Sequence, residues 1–292
     1  MKFPAQRILC LLVFSTTVCV SASNIDPLKP YAYSANAGWI NSYADGTNGL
    51  TTYDAYCSGY AYSANFGWIH FGDGTPQNGY AYSNDSESDF GVNIDPEGNL
   101  SGYAYAANVG WISFSWANNN DANRPRINLT TGEFSGYAYG ANIGWVLLGT
   151  SELTTTSLKT VDTDADTISD AWEYQTWGNL SQSDANNDSD ADGATDLAEY
   201  RAGTAANDAS SVFRVDNYTQ TSALTTSLTF TSVQNRQYRI EWNTDLNNTW
   251  QDSDLGTFSP DIGASTTKLI NWPDSYDTRF LRVVVIQPLS AE

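Results

Sequence analysis

The sequence predicts a mainly β chain: antiparallel β-hairpin repeats first, a pair of short helices in the middle, and a small β-sandwich at the end. Three observations carry this. The segment YAYSANAGWI at residues 31–40 recurs as GYAYSANFGWIHF (59–71), GYAYAANVGWISF (102–114) and GYAYGANIGWVLL (136–148), with a divergent GYAYS copy at 79–83. An acidic stretch between residues 162 and 199 holds two copies of one spacing, each running into a helix-forming segment. Beyond residue 212, apolar–polar alternation is broken by Asn, Asp, Gly and Ser clusters, the punctuation of short strands. The organisation reads as a leader (1–22), a hairpin-repeat domain (24–150), an acidic paired segment (160–210) and a sandwich domain (212–288).

The first 22 residues have the layout of a secretory signal peptide. Lys2 and Arg7 supply a basic start, Ile8 to Val20 an apolar run, and Val20-Ser21-Ala22 a small-residue cleavage pattern. The run is too short and too polar to span a bilayer, and no later stretch is long enough, so the mature chain is expected to be extracellular with no transmembrane segment. Cys10 and Cys19 fall in the leader. Cys57 alone stays, which rules out an intramolecular disulfide in the mature chain and leaves a metal as the natural cross-link. The net charge of −20 and pI near 4.1 argue against nucleic acid and anionic membrane surfaces as partners.

Each full repeat reads as a hairpin. Tyr-Ala-Tyr-Ser alternates with period two, Ala-Asn-x-Gly supplies the turn, and Trp-Ile-x-Phe resumes the strand. Further hairpins are expected at GVNIDPEGNLSGYAY and RINLTTGEFSGYAY. The 79–83 copy is followed by an insertion, Asn84 to Asp89, and has Val92 where Trp is expected. Such repeats stack into a solenoid, a barrel or a propeller-like array, and the pattern does not choose among them. The rings have two readings. One is a core in which Tyr and Trp of adjacent hairpins bury the sheet face. The other is a sugar-stacking face that includes Trp39, Trp68, Trp111 and Trp145. His70 aligns with Asn41, Ser113 and Leu147 of the other copies, which marks it as a solvent-facing strand position.

The acidic segment carries the most specific spacing in the chain. Asp162, Asp164, Asp166, Asp170 and Glu173 fill positions 1, 3, 5, 9 and 12 of a twelve-residue window, and Asp188, Asp190, Asp192, Asp196 and Glu199 repeat the pattern. Position 7, where a backbone carbonyl completes the shell, is Ile168 in the first loop and Ala194 in the second. Ca²⁺ takes six to eight oxygens, which alternate residues of a wound loop and a closing glutamate supply. These are EF-hand-like loops with Ca²⁺ as the expected ion. Gly193 gives the second the permissive residue at position 6, whereas Thr167 strains the first. Short helices are expected from Ile168 to Trp177 and from Ala194 to Ala202, packed through Trp172, Trp177, Leu197 and Tyr200. DTDADTISDAWEYQTWGNL and DSDADGATDLAEYRAGTAANDASS together resemble the paired calcium segment of secreted planctomycete and verrucomicrobial proteins, a relative of dockerin and thrombospondin type 3 repeats. The resemblance implies calcium ligation by the ten carboxylates. QYRIEWNTDLNNTW…RFLRVVV likewise resembles the β-sandwich that follows the calcium pair in those proteins.

With one His and one mature Cys, no Ser-His-Asp, Cys-His or His-rich zinc set has support, and no phosphate loop matches. The expectation is a secreted, non-catalytic, calcium-binding protein that engages extracellular polysaccharide or other surface proteins through its aromatic repeats. A structural subunit of an extracellular matrix or fibre is the alternative, and a polysaccharide-degrading enzyme the weakest reading.

Overall fold

The computed structural model describes residues 23–149, 152–246, 249–272, 274 and 278–286; the leader expected at 1–22 lies outside them. The chain is mainly β and antiparallel. Of the three arrays the repeats allow, the molecule adopts the barrel. Each of the four full repeats forms one hairpin: Ile25–Ser34 with Gly38–Asn41, Tyr60–Ser63 with Gly67–His70, Leu100–Ala106 with Gly110–Ser113, and Tyr137–Gly140 with Gly144–Leu147. Successive hairpins pair edge to edge, and Tyr33 pairs with Leu147 to close eight strands into a ring.

The Tyr-Ala-Tyr pattern follows from the bore of that ring. Eight strands leave an interior just wide enough for side chains to fill. Across each hairpin a small residue faces a branched one: Ala32 with Ile40, Ala61 with Ile69, Ala104 with Ile112, Ala138 with Val146. All eight are buried. Period-two alternation then turns the flanking tyrosines outward.

The Ala-Asn-x-Gly turns close one end. Phe66 and Ile143 are buried there, as is Ala37. The Asn of each turn reaches the turn next to it: Asn65 Nδ2 donates to the Ala37 carbonyl (2.9 Å), Asn108 to Phe66 (2.9 Å), Asn142 to Val109 (2.9 Å) and Asn36 to Ile143 (3.3 Å). These four bonds form a closed latch around the mouth. At the other end Phe71, Phe114, Leu50, Leu100, Phe134 and Leu153 complete the same core. The expected extra hairpins are present as Val92–Ile94 with Leu100–Gly102, and Arg126–Ile127 with Phe134–Ser135.

The 79–83 copy forms no strand. Tyr82 is buried, and its ring lies where Cβ atoms on Gly72 or Gly91 would fall within 2.5 Å of it. Its hydroxyl donates to the Cys57 carbonyl and accepts from Gly74 N–H.

Helices α1 (Asp170–Trp177) and α2 (Asp196–Ala202) begin two residues later than the pattern suggests, because Ser169 and Thr195 are N-caps. Each ends on a left-handed glycine, Gly178 and Gly203. Trp172 meets Tyr200 edge-on at 5.7 Å, part of the expected packing. C-terminal to them, strands 215–222, 225–231 and 265–271 form one sheet, and 251–252, 237–243 and 280–286 another. Leu228, Phe230, Ile270, Tyr238, Ile240 and Trp242 bury their facing sides.

Candidate metal centre and aromatic belt

Two side-chain constellations stand out: the paired acidic loops, and the rings outside the barrel.

The two loops fold alike. Asp162, Asp164 and Asp166 bring carboxylate oxygens within 4.8 Å of one another, as do Asp188, Asp190 and Asp192, and either cluster could hold a metal ion. Loop backbone fixes part of several of these carboxylates. Asp162 accepts from Ala165 and Thr167 N–H, Asp188 from Gly193, Asp166 from Ile168, and Asp192 from Ala194. The Asp170 oxygens both bond Thr163, through its N–H and hydroxyl, and Asp196 treats Ser189 the same way. These position-9 carboxylates, expected from the spacing as ligands, instead spend both oxygens bracing the second residue of the loop.

The closing glutamates test the fit. Glu173 and Glu199 are almost fully buried, and each bonds one oxygen to a hydroxyl, Ser183 and Thr204 respectively. The other oxygen of each has no hydrogen-bond partner, nor do one oxygen each of Asp166, Asp190 and Asp192. Orphaned buried carboxylate oxygens are costly unless a cation faces them. Burial pushes both glutamates up to about 7, with Asp164 and Asp190 adding repulsion. An all-oxygen donor set of this kind suits a hard divalent cation. Position 6 has positive φ in both loops, +101° at Gly193 and +77° at Thr167. The β-branched Thr167 is thus held in the left-handed region, the strain read from the sequence.

The first loop is joined to the barrel. α1 packs Ala171 against Tyr56 and Tyr82, and Tyr174 stacks on Tyr80 at 5.4 Å. The divergent repeat has become the seat of this helix. Ser169, which caps α1, also bonds Asp54, whose carboxyl burial pushes up to about 6. Nothing in the acidic spacing signals Asp54; a single Asp in a Tyr-rich loop carries no pattern. The second helix is tied to the sandwich: Arg236, buried, donates to the Tyr200 and Arg201 carbonyls at the end of α2. That position reads as a solvent-facing arginine in the sequence and is instead a strut. Arg239 and Arg282 flank Glu241 as ion pairs, and Arg279 lies over Trp272.

The rings correct the expectation of a Tyr/Trp core. Trp39, Trp68, Trp111 and Trp145 are 57, 47, 43 and 49 % exposed. Each packs between the two tyrosines of its own hairpin, as Trp39 does with Tyr33 (5.0 Å) and Tyr31 (5.9 Å). The physical reason is size: a bore filled by Ala–Ile pairs has no room for indoles. Four such triads belt the barrel. His70, expected at a solvent-facing position, is half-buried. It stacks on Tyr60 at 4.7 Å beneath the edge of Phe90, and burial pulls its imidazole below the ordinary value.

No protein-family model, curated protein or solved structure matches the chain.

Proposed function

We propose that this is a secreted, non-catalytic, calcium-binding protein whose aromatic belt adheres to extracellular polysaccharide. The belt carries the reading. Large exposed apolar patches mark interaction sites in a chain that could otherwise bury them. Here four tyrosine–tryptophan triads stand outside one barrel, their tryptophans 43–57 % exposed and seven of their eight tyrosines 38–41 %. Flat rings of this kind stack on the apolar faces of sugars. Ca²⁺ is the ion that best suits the two loops, held by Asp162, Asp164, Asp166 and Glu173 and by Asp188, Asp190, Asp192 and Glu199, with the carbonyls of Ile168 and Ala194. Its work is structural, stabilising a disulfide-free junction by binding the folded loops alone.

Two experiments test this. Excess EGTA is expected to lower the melting temperature and expose the chain to protease between residues 160 and 210; an unchanged melt ends the calcium reading. Affinity electrophoresis in gels cast with polysaccharides is expected to retard the chain, less so when Trp39, Trp68, Trp111 and Trp145 are all changed to Ala; no retardation in any gel ends the polysaccharide reading.

A matrix or fibre subunit is favoured by one observation. Strand 215–222 is exposed along its length and, among the described residues, pairs on one side only, with 225–231. Such an edge can accept another chain. Concentration-dependent light scattering lost on Thr219→Pro would establish it.

A further inference from the structure

The four triads are not equivalent, and their differences point to one binding groove. Between neighbouring hairpins the outward side chains run in sets of three. His70, Tyr105 and Trp111 make one set, and Ser113, Tyr139 and Trp145 another. Asn41, Tyr62 and Trp68 make a third, and Leu147, Tyr33 and Trp39 the fourth.

Two of the sets carry a ring from the chain itself. Phe90 lies edge-on to Trp111 at 5.0 Å and to His70 at 5.2 Å, and so packs against the set with Tyr105. Trp116 lies edge-on to Trp145 at 4.6 Å and is fixed by a bond from its Nε1 to the Tyr137 carbonyl. In the third set the floor is polar, because Asn41 is turned to the Tyr43 and Ala44 amides. The fourth differs from all of these. Its floor is apolar Leu147, its tryptophan is the most exposed of the four, and a groove of about 200 Å³ opens between Tyr31, Tyr33, Trp39 and Leu147, with Glu152 at its rim.

We infer that this groove is the sugar-binding subsite of the belt, that it takes one neutral hexopyranose unit of a polysaccharide, and that Phe90 and Trp116 crowd the tryptophans of two of the other sets. The inference rests on the polysaccharide reading given above. Its volume is below the range of drug-sized pockets, which suits a single ring. The apolar face of that ring lies on the exposed indole of Trp39. The Glu152 carboxylate can only accept hydrogen bonds, so it suits sugar hydroxyls and repels uronate or sulfate groups. The chain's charge of −20 repels acidic polymers further.

Titration calorimetry of the full calcium-loaded chain tests this with cello-, xylo- and manno-hexaose, and with alginate oligomers as the acidic arm. Binding to at least one neutral oligomer and none to alginate is expected. Trp39→Ala should weaken that binding about tenfold or more, and Trp111→Ala less than about twofold. Leu147→Trp, which fills the groove as Trp116 fills its own, should abolish binding while leaving every ring in place. It also decides the matter if Trp39→Ala misfolds by circular dichroism. Wild-type affinity in Leu147→Trp with loss in Trp68→Ala moves the site elsewhere on the belt, overturning this inference but not the polysaccharide reading. Failure of every neutral and acidic oligomer, and of whole polysaccharides in gels, overturns both. Preference for alginate overturns the assignment of a neutral ligand.

Discussion

Thr167 is a residue whose backbone is at odds with its side chain. A β-branched residue at φ +77° carries a cost of about 1–2 kcal/mol that glycine avoids. Thr167→Gly is therefore expected to stabilise the chain by about 1 kcal/mol in urea melts and to raise the calcium affinity of the first loop in a chelator-competition titration. An unchanged affinity would show that the strain is relieved by other loop contacts. The glutamates give a pH signature. Glu173 and Glu199 are pushed up to about 7 in the metal-free fold, against an ordinary value of 4.5. The native chain thus holds protons that the unfolded chain has released. Their contribution is fully present below pH 4.5 and lost as pH rises through 7, so in EGTA the melting temperature should fall between pH 5 and 8. With excess Ca²⁺ the trend should reverse, because the ion takes the place of the proton. Parallel slopes in the two buffers would dissociate these carboxylates from the metal.

At the scale of elements, the hairpins are held by period, turn and latch together. Ala61→Leu should overpack the bore opposite Ile69 and cost about 1–3 kcal/mol, read as a lower urea midpoint. Asn65→Ala removes one latch bond and should cost about 0.5–1.5 kcal/mol; a loss much larger than that would mean that the four latches act cooperatively. Which parts of this were legible in the sequence follows from the same physics. The hairpins, their turns and the positive-φ glycines at 38, 67, 110 and 144 are local, and Tyr-Ala-Tyr with Ala-Asn-x-Gly encodes them in adjacent residues. The acidic loops were legible for the same reason, since ligand spacing is a property of twelve consecutive positions. Barrel closure was not, because the pairing of Tyr33 with Leu147 leaves no mark on either segment. The facing of the rings was misjudged because alternation says that Tyr and Ala point opposite ways, but not which way is inward. Strand 215–222 is not legible because every position is exposed and polar residues dominate, so no apolar period announces it. Tyr80 and Tyr82 look like a failed repeat until Tyr174 is placed on the one and Ala171 beside the other.

For the whole molecule, the acidic loops sit between two β bodies and grip each through one helix. α1 is seated on the barrel through Ala171 and Tyr174, and α2 is bound to the sandwich through Arg236. Tyr174→Ala should therefore loosen the coupling between calcium and the barrel. The expected outcome is a smaller rise in barrel melting on adding Ca²⁺, followed by the near-ultraviolet signal of its rings, with sandwich melting unchanged. An equal rise in wild type and variant would show that the barrel does not sense the loop through this helix. The ring closure has a further consequence, for biosynthesis. Ser34 and Ile143 meet across 109 positions of chain, and the first hairpin has its final neighbour only when the last one exists. A nascent chain halted before Gly144 would carry an unsatisfied strand edge at residues 31–34, open to association with its siblings. Folding of the barrel must then wait for nearly its whole length, a high-contact-order event on the slow side of the range for small β proteins. Such a chain gains from being held open until the last hairpin has been made, since only then can every edge of the ring find its partner.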